Sequence, residues 1–132
     1  MEPEVYGSLT LEEVDRLIAE RAGELDIEIE IAQSNLEGEL VDLIQGADGR
    51  FDAILLNPGG YTHTSVAIRD AVAAVAVPAI EVHLSNPSAR EPFRHADVVG
   101  GACRGVISGF GWRSYLVALE AVKGLDGGRG RI

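Results

Sequence analysis

Glu81 and His83 stand two residues apart in the run Ala79-Ile80-Glu81-Val82-His83-Leu84. On a strand, that spacing puts both side chains on one face. A carboxylate beside an imidazole fixes the ring tautomer and favours the protonated ring. Such a pair suits a general acid that delivers a proton near neutral pH. A buried histidine satisfied by a neighbour is the competing reading. His63, between Thr62 and Thr64, has the chemistry to bind a substrate oxygen or to cap a helix. His95 closes a polar loop and reads as a surface residue.

Other residues in the stretch from 57 to 95 have types that hold an anion. Asn57-Pro58-Gly59-Gly60 reads as a turn whose glycines allow close backbone approach. No Gly-Lys-Ser/Thr follows, so it is not a P-loop. Ser85 and the backbone at Leu84 could hold a carboxylate. Arg94 could pair with a carboxylate or a phosphate through its fork. Asp70 reads as a solvated helix acid. Tyr6 is unremarkable by physics alone, because a free phenol with a pKa of roughly 10 is a poor base without a nearby positive charge. A metal site would draw on His63, His83, His95 and Glu81, but their spacing matches no compact ligand pattern.

The elements that must carry these residues alternate. Thr10 and Glu13 have capping-box spacing, and Leu11, Val14, Leu17, Ile18 and Leu25 predict a helix ending near residues 23–26. Ile27-Glu28-Ile29-Glu30-Ile31 alternates as a half-buried strand. Ser34 or Asn35 caps a second helix with Leu36, Leu40, Leu43 and Ile44. Ala53 to Leu56 is an apolar run expected of a buried parallel strand. A third helix follows Thr64 or Ser65 and stops before Pro78. The strand from Ala79 to Leu84, a polar loop to Asp97, a short strand at Val106-Ile107 and a closing helix with Trp112, Tyr115, Leu116, Leu119 and Val122 complete the chain. Residues 124–132 are expected to fray. Strands separated by helices imply a parallel sheet covered on both faces, with ligands beyond the carboxyl ends of the strands. Asn57 and Leu84-Ser85 both fall there.

The 132 residues make a single domain, residues 1–132, with one core. Net charge is −10, with one lysine against ten arginines. That balance argues against nucleic acid, which needs a basic stripe. No segment is apolar for long enough to span a bilayer, so no membrane partner is expected. MEPEVYGS has no signal-peptide pattern, and the lone Cys103 fits a reducing compartment; together they point to the cytoplasm. Arg69, Arg90 and Arg94 offer local positive charge for an anionic substrate.

The segments EPEVYGSLT, SNLEGELVD, NPGGYTHTSVAIRDA and EVHLSNPSAREPFRH resemble type II 3-dehydroquinate dehydratase over residues 2 to about 123. The resemblance implies a flavodoxin-like α/β fold, a three-layer α/β/α doubly wound parallel sheet. It implies trimers assembled to a dodecamer, and dehydration of 3-dehydroquinate to 3-dehydroshikimate with no cofactor and no metal. By position, Tyr6 matches the base that takes the proton next to the ketone. His83 matches the acid that protonates the departing hydroxyl, and Glu81 its carboxylate partner. Asn57, His63, Leu84, Ser85 and Arg94 match substrate-binding positions, and Asp70 the acid that reaches a neighbouring subunit's site.

The resemblance departs at the front. Relatives carry a hydrophobic strand and a loop of the kind NGPNLNLLGTR before EPEVYGS. This sequence is expected to lack that first strand, along with the loop arginine that would lower the tyrosine pKa and the asparagine that would position a water. Unpaired edges are then expected between the strands near 27–33 and 53–57. The rival reading is a shortened relative that binds a quinate-like acid without turning it over. A flavodoxin- or receiver-like module is disfavoured, because no strand end carries paired acids and no early Ser/Thr-rich phosphate loop is present.

Overall fold

The computed structural model describes residues 5–6, 9–85, 96–125 and 130–132. A short antiparallel pair, β1 (Val5–Tyr6) and β2 (Leu9–Thr10), leads into α1 (Leu11–Glu24). The capping box forms: Thr10 Oγ1 accepts from the Glu13 backbone N–H at 3.2 Å while Glu13 reaches back to the Thr10 N–H at 3.4 Å. Val14, Ile18 and Ala22 recur every four residues and bury one face of α1. The helix ends at Leu25, and Asp26 turns the chain with φ 61°, a conformation that aspartate tolerates better than most residues.

Three further strands build the central sheet. They are β4 (Ile54–Leu56), β5 (Ala79–Val82) and β6 (Gly105–Ile107), parallel in the order β4-β5-β6. α2 (Glu37–Ala47) precedes β4, α3 (Val66–Ala74) joins β4 to β5, and α4 (Arg113–Leu125) follows β6. All four residues of β5 are buried, as a central parallel strand requires. Ile44 of α2 and Ile68, Ala71 and Val72 of α3 pack with Leu56 and Ala79 on one face. Ala118 and Val122 of α4 pack with Ala53, Ile80 and Val82 on the other, beside a cluster from α1 and α4 that contains Val14, Ile18 and Leu119. The result is the three-layer α/β/α arrangement expected from the alternation of elements.

Several boundaries differ from the sequence expectation, each for a physical reason. Ladder pairing at β3 covers only Ile27–Glu28, and Ile31 is 46% exposed, so the alternation outlasts the surface it can bury. Leu36 sits at the N-cap of α2 without a side-chain cap, and Ser34 Oγ instead accepts from the Leu36 N–H at 3.0 Å. The tail expected to fray is α-helical to Leu125 and returns as β7 (Gly130–Arg131), parallel to β3. Ile132 N–H donates to Glu28 O at 2.8 Å, and Glu30 N–H donates to Ile132 O at 2.8 Å. The unpaired groups of β3 find partners there, and the Ile132 side chain packs on both α4-side clusters. No ladder among the described residues joins the β3–β7 pair to β4.

Candidate active site

The site begins where β5 ends. Alternation along the strand sends Ala79 and Glu81 to the α3 side of the sheet, and His83 follows at the same spacing. His83 N–H donates to Ile107 O at 2.8 Å, which extends the β5–β6 pairing one residue past the strand and fixes the histidine backbone. Glu81 is 0% exposed and His83 is 9% exposed. His83 Nε2 lies 3.0 Å from Glu81 Oε2. This is contact distance, but the approach is off-line, and neither Glu81 oxygen nor Nε2 has an aligned hydrogen-bond partner among the described residues. Burial pushes the Glu81 carboxyl up to about 7; His83 opposes this and the nearby Asp97 reinforces it. A carboxyl poised near neutrality beside an imidazole can hold and pass a proton.

Asp97 was not singled out from the sequence. One ligand atom each from Glu81, His83 and Asp97 lie within 4.8 Å of one another. Spacing of this kind could also admit a cation; the acid–base reading uses the closeness of Nε2 and Oε2, 3.0 Å apart. The aspartate arrives on segment 96–98, which is fastened to the other strand end. His63 Nδ1 lies 2.7 Å from Ala96 O. Since a carbonyl can only accept, Nδ1 carries the hydrogen and Nε2 is the acceptor nitrogen of the neutral ring. Val98 N–H donates to Thr62 O at 2.8 Å, and Arg69 Nη1 donates to Val98 O at 2.9 Å. Asp97 Oδ1 accepts from the Gly100 N–H at 2.6 Å.

The loop after β4 folds as the 3-10 helix Gly59–His63, entered through Gly59 at φ 59°, where a side chain would be strained. Asn57 Oδ1 accepts from the Gly59 N–H at 3.1 Å and stiffens this turn. Asn57 also bonds the Tyr115 hydroxyl of α4, whose pKa burial nonetheless raises. The sequence had marked Tyr115 only as a core residue of the last helix. Ser65, not His63, caps α3, accepting from the Ile68 N–H at 2.9 Å. Burial, aided by Glu81 and Asp97, pushes the Cys103 thiol up to about 12, so it stays protonated.

The remaining candidates are dispersed. Leu84 O accepts from the Gly111 N–H at 2.8 Å, and Ser85 is exposed at the end of a described segment. Asp70 is exposed on α3. Arg94 and His95 lie outside the described residues, as does the Tyr6 side chain, although the Tyr6 backbone pairs with Leu9. An open cleft of about 420 Å³ beside α2, lined by Gln33, Ser34, Glu39, Asp42 and Arg50 among others, shares no residue with the His83 group. We place the chemistry at His83, where a buried carboxyl and an imidazole meet at the end of the central strand.

Fold and site together define an α/β protein with a buried glutamate–histidine pair at the carboxyl end of its central strand, and a glycine turn and a second histidine, His63, on the loop tied to it. The sequence profile of the class II dehydroquinases matches residues 1–123, and the chain belongs to that family. A 3-dehydroquinate dehydratase of Caldanaerobacter subterraneus is 54% identical over 95% of this chain and 84% of its own length. One from Geotalea daltonii is 55% identical over 92% of this chain and 84% of its own length. The crystal structure of the type II dehydroquinase from Butyrivibrio crossotus superposes with a TM-score of 0.85 at 43% identity, covering 90% of this chain and 83% of that one. The Propionibacterium acnes type II dehydroquinase gives 0.82 at 33% identity, covering 87% and 85%.

Proposed function

We propose that the protein is a hydro-lyase that dehydrates 3-dehydroquinate to 3-dehydroshikimate in the shikimate pathway, with His83 as the acid. The observation that carries this reading is the contact between buried Glu81 and His83 at 3.0 Å, at the carboxyl end of β5. Nε2 faces Glu81, so Nδ1 is the nitrogen left for a departing hydroxyl. Family membership supplies the substrate. In this reading Tyr6 takes the proton next to the ketone and generates an enolate. His83 then protonates the β-hydroxyl as it leaves as water. Asn57, His63, Leu84, Ser85 and Arg94 bind the substrate, and neither metal nor cofactor takes part.

The finer claims have narrower support. The fastening of His63 to Ala96 O brings the two loops together, as a shared substrate cradle needs. Assembly as trimers of a dodecamer, with Asp70 reaching a neighbour's site, is supported by the outer face of α3. Val66 is 59% exposed there, and Asp70 stands one turn further along the same face. No helix among the described residues is long and apolar enough to cross a membrane; we place the protein in the cytoplasm. The test is direct. Incubation with 3-dehydroquinate should produce the absorbance of a conjugated enone. Saturable binding of the substrate without enone formation would instead identify a binding module on the same fold.

A further inference from the structure

Asp97 is exposed, but the segment that carries it is fastened in place. The residue before it accepts from His63, the residue after it is bonded on both backbone atoms by Thr62 and Arg69, and its Oδ1 is bound by the Gly100 N–H. These bonds tie the carboxylate to the first loop of the site and bring an oxygen within 4.8 Å of both Glu81 and His83. Glu81 itself is fully buried with both oxygens lacking an aligned partner.

We propose that Asp97 is a positioning residue for the acid: its clamped carboxylate stands over the Glu81–His83 pair and holds the shared proton there until the hydroxyl leaves. This rests on the assignment of His83 as the acid. Glu81 and His83 share one exchangeable proton, whichever of them carries it. Losing it leaves the pair with a net negative charge, and a neighbouring carboxylate opposes that loss. The direction in which Asp97 moves the Glu81 carboxyl agrees with this. Among the described residues, the other groups facing the cluster are three. Cys103 remains a neutral thiol. His63 is turned to Ala96 O, and the Arg69 guanidinium donates to Val98 O.

The experiment is a titration of the protein labelled with ¹⁵N-histidine, followed at the His83 ring nitrogens without substrate. It is paired with the pH profile of kcat. Asp97→Asn and Asp97→Ser both remove the charge and keep an oxygen that can accept from the Gly100 N–H. Each should lower the midpoint at which the pair gives up its proton by roughly half to one pH unit. The alkaline limb of kcat should fall with it, so activity one unit above the parent midpoint drops several-fold. Asp97→Glu should restore the midpoint. A midpoint that stays put or rises in both neutral variants overturns the proposal, even if kcat falls. Because the ring titration needs no turnover, it reads the role of Asp97 even in a protein that fails to dehydrate 3-dehydroquinate.

Discussion

Glu81 is a carboxyl in a place that disfavours charge, and its protonation therefore couples to folding. Its pKa rises from an ordinary 4.5 to about 7 because burial penalises the anion. Between those two values the folded state holds a proton that the unfolded state has released. The contribution is fully present below about pH 4.5 and is lost as the pH rises through about 7. Unfolding by urea at a series of pH values should show the parent losing roughly 1–2 kcal/mol across that window, after allowance for solvent screening. Glu81→Gln should flatten the dependence, and an undiminished slope in that variant would assign it to other groups. The pairing of Glu81 with His83 was legible because a strand has a side-chain period of two. Asp97 was not, since it stands fourteen positions after His83 on a returning loop. No local periodicity reports which strand end a loop comes back to.

At the scale of elements, the site depends on how α3 and segment 96–98 are fixed to the ends of β4 and β5. Ser65 starts α3 with a buried hydroxyl that caps Ile68 N–H and donates to Glu37 of α2 at 2.7 Å. Ser65→Ala should cost about 1–2 kcal/mol of stability in chemical unfolding. It should also raise KM, since the 3-10 turn bearing His63 precedes the cap directly. The capping box of α1, the buried run at β4 and the stop before Pro78 could all be read from the sequence, because each rests on contacts within a few residues. The return of the chain at β7 could not, because it depends on an open edge about a hundred residues earlier. Ile132 packs on two core clusters from that position. Ile132→Ala should therefore destabilise the fold by roughly 1–2 kcal/mol, whereas a frayed tail would show no change.

At the scale of the molecule, a net charge of −10 meets an acidic substrate, so binding depends on local cations and, in the assembly we propose, on a partner that completes the site. The outer face of α3 offers Val66 for such a partner, and Asp70 beside it. Val66→Asp should lower the solution mass measured by light scattering and reduce kcat together. A fall in mass with kcat unchanged would detach assembly from catalysis. The layered α/β/α architecture was legible from alternating strands and helices. The assembly was implied only by resemblance to the family, because exposed apolar residues do not name what covers them. The central claim is that His83, held by buried Glu81, is the acid that dehydrates 3-dehydroquinate. The most direct measurement is the rate of enone formation by His83→Gln beside the parent. We predict turnover in the parent and a loss of about 10²–10⁴-fold in kcat for the variant, with the substrate still bound. Equal rates in the two proteins would contradict the account.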